Sequence, residues 1–161
     1  MSNSQTQAVP WLSDDEQRAW RAYRRLVTVV ESGVAHDLLR DSGLSMTDYD
    51  VLSTLSEAPD RRRRIKQLAD HMRWTASRLS HHVRRMEGRG LVERETCSTD
   101  GRGTIVHLTD LGFEHLEAAA PDHVRSVRTH LFDHLDESLA HALFELASAV
   151  VEPALEHPPD A

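Results

Sequence analysis

The sequence predicts a mainly α fold with one small β-hairpin (α+β). Three observations carry that expectation. Apolar residues recur at helical spacing over most of the chain. Two short helical segments near the middle are separated by about three residues, which is helix-turn-helix spacing. Immediately after them the period changes from helical to alternating, in two short runs joined by a polar loop.

The elements follow in order. Residues 1–11 carry no periodic pattern and are expected to be a disordered tail. "SDDE" at 13–16 forms a capping box, with Ser13 as N-cap and Glu16 three residues on. In the helix that follows, Trp20, Tyr23, Val27, Val30 and Val34 make one apolar stripe, and Gly43 closes the region. Ser45 caps a second helix carrying Val51, Leu52 and Leu55, closed by "EAPD" at 57–60. Four arginines, Arg61 to Arg64, lead into "IKQLADHM", whose Ile65, Leu68, Ala69 and Met72 share a side. Arg73 and Trp74 turn the chain, Thr75 caps the next helix, and Gly90 stops it. "LVERE" (91–95) and "TIVHL" (104–108) read as the hairpin strands. Thr109 caps a further helix that Pro121 is expected to break or restart. Val124, Val127, Leu131 and Leu135 continue its stripe. A last helix is expected over about 136–151, ended by Pro153, with 153–161 a loose tail. No internal repeat is present.

Charge is segregated along the chain. The 161 residues carry a net charge of -7. Residues 61–108 hold 12 Lys/Arg against 5 Asp/Glu, whereas the remainder holds 7 against 21. A local basic surface, not the net charge, sets attraction to a polyanion, and the acidic remainder belongs away from phosphates. With about 100° per residue, Leu79, Val83 and Met86 of "WTASRLSHHVRRM" fall on one side of their helix. Ser77, His81, Arg84 and Gly88 fall on the other, flanked by Arg78, Ser80 and Arg85. His82 tilts toward the core and reads as structural. Hydroxyl, imidazole and guanidinium groups suit phosphate oxygens and major-groove base edges. At the hairpin tip Arg102 stands between two glycines, two residues after Asp100. A protruding Arg there suits the focused negative potential of a minor groove, and Asp100 is placed to orient it.

Other classes lose ground on the same residues. No phosphate-cradling Gly-loop, nucleophile elbow or paired catalytic carboxylate pattern is present, so an enzyme is not expected. No apolar run approaches a membrane span, and the N-terminus lacks a basic start and apolar stretch. Cys97 is the lone cysteine, so a reducing, cytoplasmic setting is expected. His130 and His134 have i, i+4 spacing, but no cluster completes a metal site, and neither metal nor cofactor is expected.

"SRLSHHVRRMEGRGLVER" at 77–94, "TDGRG" at 99–103 and "LTDLG" at 108–112 together resemble the multiple antibiotic resistance regulator (MarR) family of winged helix-turn-helix transcription factors, over roughly residues 12–152. The resemblance implies a winged helix-turn-helix over 45–108, flanked by dimerisation helices over 12–44 and 109–152. It implies a homodimeric repressor on a pseudo-palindromic double-stranded DNA operator, released by a small aromatic or phenolic inducer. Thr75, Ser77, Arg78, Ser80, His81, Arg84 and Arg85 then face the major groove, and Asp100 and Arg102 the minor groove. Arg61, Arg62, Arg63, Arg64 and Arg73 contact phosphates. Trp20, Tyr23, His36, Met46, Tyr49 and Phe113 are the candidates for the inducer cleft. Family members that sense peroxide use a Cys near the first helix; Cys97 lies in the wing instead. A winged-helix architectural DNA binder, or a protein-interaction module without a ligand switch, stays open beside this reading.

Overall fold

The computed structural model describes residues 10–96 and 103–156. Six helices and a three-stranded antiparallel sheet make up the fold. Helix α1 (Asp14–Ser42) starts at the expected capping box: Ser13 Oγ accepts from Glu16 N, and Glu16 reaches back to Ser13 N. It ends at Gly43, whose φ of 71° is left-handed. Helix α2 (Met46–Ser56) starts at a second box, Ser45 with Asp48. Helix α3 (Ile65–His71) and α4 (Ala76–Gly88) are the helix-turn-helix pair. Arg73, at φ 54°, turns the chain between them, and Thr75 Oγ1 accepts from Arg78 N. Helix α4 ends in paired bonds, Leu91 N to Met86 O and Gly90 N to Glu87 O, with Gly90 at φ 74°.

Strands β2 (Val92–Thr96) and β3 (Thr104–Leu108) pair antiparallel from Val92↔Leu108 to Thr96↔Thr104. The hairpin has a third strand. Arg62–Arg64 forms β1, which pairs with β3 as Arg63↔Val106, so the order is β1-β3-β2. From sequence these arginines are assigned to no element, because three identical charged side chains show no alternation.

Helix α5 (Asp110–His130) runs through Pro121 rather than breaking there. The missing N–H orphans one carbonyl, that of Glu117, on an exposed stretch where water reaches it. Helix α6 (Glu137–Glu156) likewise continues past Pro153. His134 sits in a short 3-10 turn, Phe132–His134, so it is not one turn along the same helix as His130.

The core is built from Val51, Leu52, Leu55, Leu68, Leu79, Val83, Met86, Val92 and Val106, each fully buried. Helix α5 is tied to the end of α4 by the "LTDLG" residues. Thr109 Oγ1 donates to Gly90 O at 2.7 Å and accepts from Gly112 N at 2.9 Å. A Cβ on Gly112 would lie 2.0 Å from Leu91 O, so the helix start fits only because residue 112 has no side chain. Gly112→Ala is expected to destabilise the protein by about 2 kcal/mol through overpacking, read as a lowered midpoint in thermal unfolding. An unchanged midpoint would mean that α5 can move off the strand at no cost.

The α1–α5 pair is held by a polar clasp. Asp37 accepts from Ser126 Oγ and His130 Nε2, each at 2.8 Å, and from Arg40 at 2.7 Å. Ser126 and His130 hold its carboxyl down at about 2. Gly33 lets the His130 ring lie against α1.

The apolar stripe of α1 behaves unlike a core stripe. Val34 and Leu38 are buried, but Trp20, Tyr23, Leu26 and Val29 are exposed. Helix α6 has no buried residue among those described, and Leu139, Phe144, Leu146, Val150 and Val151 face outward.

Candidate nucleic-acid interface

Helix α4 divides as its wheel requires. Leu79, Val83, Met86 and His82 face the core. Ser77, Arg78, His81, Arg84 and Arg85 are exposed on the opposite side. Two of the candidate groups are spent locally: Thr75 Oγ1 caps the helix, and Ser80 Oγ donates to Ala76 O at 2.7 Å. The Arg78 guanidinium lies 3.5 Å over the Trp74 ring, which stiffens it without neutralising it.

A buried network aims this helix. Asp48, 3 % exposed, accepts from Ser45 N at 3.0 Å and Ser45 Oγ at 2.8 Å. It also accepts from His82 Nε2 at 2.9 Å and from Arg89 Nη2. Arg85 donates to His82 Nδ1 at 2.9 Å, so Nδ1 is the acceptor and the ring proton sits on Nε2. Burial pushes the Asp48 carboxyl up, but Arg89 and Ser45 outweigh it and hold it below the usual carboxylate range. Burial likewise pushes His82 down, against the pull of Asp48, and keeps the ring neutral. One carboxylate therefore joins the start of α2 to the middle and the C-terminal end of α4. At the wing root, Arg94 grips Glu87 with Nε at 2.9 Å and Nη2 at 2.7 Å.

The four arginines do not form one patch, because successive residues of a strand point to opposite faces. Arg61 lies 3.9 Å over the Phe113 ring and 3.4 Å from Asp110, pinned against α5. Arg62 pairs with Asp60 at 3.5 Å. Arg63 Nε is buried with no hydrogen-bond partner among the described residues. Arg73 is exposed at the turn. Cys97, Asp100 and Arg102 fall outside the described residues.

The six cleft candidates do not meet. A cavity of about 520 Å³ lies between α1, α2 and α5, lined by Val30, Glu31, Val34, Ala35, Met46, Asp50, His123 and Val127. Of the six, Met46 alone lines it. Tyr49 borders a second cavity of about 420 Å³ with Asp50, His71 and Trp74. Trp20 and Tyr23 stack at 5.7 Å and line a surface groove with Leu146 and Val150. His36 is exposed, and Phe113 lies under Arg61. Among the described residues no group of three or more His, Cys, Asp or Glu is placed to hold a metal, and no helix is long and apolar enough to cross a membrane.

Comparison with known proteins matches these elements directly. Residues 42–103 match the model of the MarR family. Over 95 % of both chains, this protein is 40 % identical to Sco3205 of Streptomyces coelicolor, a MarR family transcriptional regulator solved in complex with DNA, with a TM-score of 0.86. The chain belongs to the MarR family. AbsC, another MarR family regulator from that organism, is 37 % identical over 92 % of this chain and all of its own, with a TM-score of 0.84. An uncharacterised HTH-type transcriptional regulator, YkoM of Bacillus subtilis, is 27 % identical over 114 residues, 68 % of this chain and 71 % of its own.

The contacts that position α4 and the wing in this MarR family transcriptional regulator include side chains that local sequence signals do not mark. None of Asp48, Glu87, Arg89 and Arg94 has a role assigned from sequence. Only the fold brings Asp48 within reach of His82 and Arg89, 34 and 41 residues away. The placement of His82 toward the core was the one local signal of that network.

Proposed function

We propose that the protein is a homodimeric repressor that binds a pseudo-palindromic operator and leaves it when a small ligand binds. The exposed outer face of α4 supports this reading most: Ser77, Arg78, His81, Arg84 and Arg85 stand there without a carboxylate between them. Ser77, His81 and Arg84 meet base edges or the phosphates beside them. Arg73, Arg78 and Arg85 fix the helix on the backbone, Arg62 to Arg64 add charge at the wing root, and Arg102 enters the minor groove with Asp100 orienting it; Thr75 and Ser80, whose hydroxyls are engaged within the helix, shape its start instead. Arg61 serves the wing–α5 contact instead, since its charge and face are already engaged.

Residues 12–44 and 109–152 are the dimerisation part and 45–108 the DNA-binding part. The outward apolar faces of α1 and α6 support a dimer, because a helix with no buried side chain among those described gains too little from its own chain to stay packed. A two-fold dimer places two copies of α4 about one helical turn of DNA apart. The cavity between α1, α2 and α5 lies where the two parts join and supports ligand release. The cytoplasm is the compartment in which such a regulator acts.

Fluorescence anisotropy on DNA from the protein's own promoter region, against scrambled DNA at two salt concentrations, tests the reading. The promoter is expected to bind about a thousandfold tighter than scrambled DNA. Affinity is expected to fall by roughly a thousandfold between 50 and 200 mM salt. Equal binding to both DNAs would make the protein an architectural binder. No binding at low salt would overturn the DNA reading.

A further inference from the structure

The cavity between α1, α2 and α5 has walls that select one kind of guest. Five of its eight lining side chains are aliphatic. The polar ones are Glu31 on α1, Asp50 on α2 and His123 on α5. No Lys or Arg is among them. Asp50 and Glu31 are both exposed to solvent, yet desolvation by the surrounding walls pushes the Asp50 carboxyl above the usual range, even though His123 and His71 pull it down. Burial pushes the His123 imidazole down, against the pull of Asp50, and so disfavours its charged form. Its Nδ1 is buried with no hydrogen-bond partner among the described residues, and its ring packs against Tyr49 with centroids 4.2 Å apart. The site thus combines an apolar body with two solvent-exposed carboxylates that have no cationic partner in the lining.

We propose that this cavity takes an organic cation: an aromatic or amphiphilic ammonium whose ring lies among the aliphatic walls and whose N–H groups donate to Asp50 and Glu31. An aromatic carboxylate of similar size meets two like charges and no counter-charge, which disfavours it. The inference deepens the ligand-release part of the proposed function and rests on it. It also shows how a guest reaches the DNA-binding surface. Asp50 is two residues from Asp48 on α2, and Asp48 holds His82 and Arg89 of the α4 segment. A ligand that pulls on Asp50 shifts the helix to which the recognition helix is anchored.

Isothermal titration of the full-length protein with three compounds of one ring tests it: 1-naphthylmethylammonium, 1-naphthylmethanol and 1-naphthoate. The ammonium is expected to bind about tenfold or more tighter than the carboxylate, with the alcohol between. Asp50→Asn is expected to weaken the ammonium by about tenfold and to narrow the gap to naphthoate. Glu31→Gln shifts both in the same direction by less. Naphthoate binding as tightly as the ammonium, no binding of any of the three at millimolar concentration, or an ammonium affinity untouched by Asp50→Asn overturns the assignment. Adding the same compounds to the operator complex separates this from the proposed function. An ammonium that binds without releasing DNA removes the switch and keeps the cation site. A naphthoate that releases DNA keeps the switch and removes the cation site.

Discussion

Asp48→Ala is expected to lower the free energy of unfolding by about 3 kcal/mol, seen as an earlier midpoint in urea with an unchanged slope. The carboxylate is buried and accepts from four donors on two segments. Truncation removes the reciprocal half of the α2 capping box, the Asp48 acceptor for Ser45 N, worth up to about 1 kcal/mol, while Ser45 still caps the helix. It also leaves His82 Nε2, on a side chain 11 % exposed, without an acceptor, at a further cost of about 1–3 kcal/mol. Arg89 is 43 % exposed and turns to water, so it adds little. Asp48→Asn falls between, since its amide oxygen still accepts from His82 while its NH2 opposes the Ser45 N–H. A loss below about 1 kcal/mol for the alanine variant would show that water replaces the network.

The same network gives the stability a pH dependence. The folded His82 is pushed below its ordinary 6.5, so the unfolded chain takes up that proton first as pH falls. Its contribution is fully present above 6.5 and declines as pH drops through the lower folded value. His123 acts with the same sign. Asp48, held below 3.8, adds its own loss at still lower pH. A His82→Gln variant is expected to be less stable at pH 7.5 and to lose less between pH 7.5 and 5. A wild-type stability flat over that range would mean that His82 takes up its proton in the folded protein as readily as in the unfolded chain.

What could be read from the sequence is what short-range chemistry decides. The caps at Ser13, Ser45, Thr75 and Thr109 and the left-handed stops at Gly43 and Gly90 involve partners within a few residues, and all stand where they were placed. The inner and outer faces of α4 follow from one helical period. Long-range pairing was not legible. Nothing in "RRRR" announces a strand, because it becomes one only when β3 lies beside it. Pro121 and Pro153 are helix breakers by local rule, and packing or solvent overrides that rule here. The stripe on α1 was seen, but a stripe does not say whether its own chain covers it. Trp20 and Tyr23, taken as cleft candidates, line a surface groove with Leu146 and Val150, apart from the cavity lined by Val30, Glu31, Asp50 and His123.

Arg84→Ala is expected to weaken operator binding by about 10- to 100-fold, the worth of one good bidentate contact to a base. The arginine is exposed at the middle of the outer face of α4, between His81 and Gly88. Its nearest intrahelical competitor is Glu87, one turn on, which would otherwise capture it at i, i+3. Arg94 prevents that by holding both Glu87 oxygens, at 3.2 Å through its N–H and at 2.9 and 2.7 Å through its guanidinium. The wing root thereby leaves Arg84 available to DNA. Loss of a base contact relaxes preference at one operator position and changes the salt slope little, whereas loss of a phosphate contact weakens all sequences alike and lowers the slope by about one. Anisotropy on a set of single-position operator variants separates the two. A uniform loss would move Arg84 to the backbone. Arg94→Ala is the second arm: it frees Glu87 to turn toward Arg84, and a regulator that keeps every side chain of the outer face should still lose affinity. If Arg94→Ala binds DNA as the wild type does, Glu87 was never a competitor and the availability of Arg84 owes nothing to the wing.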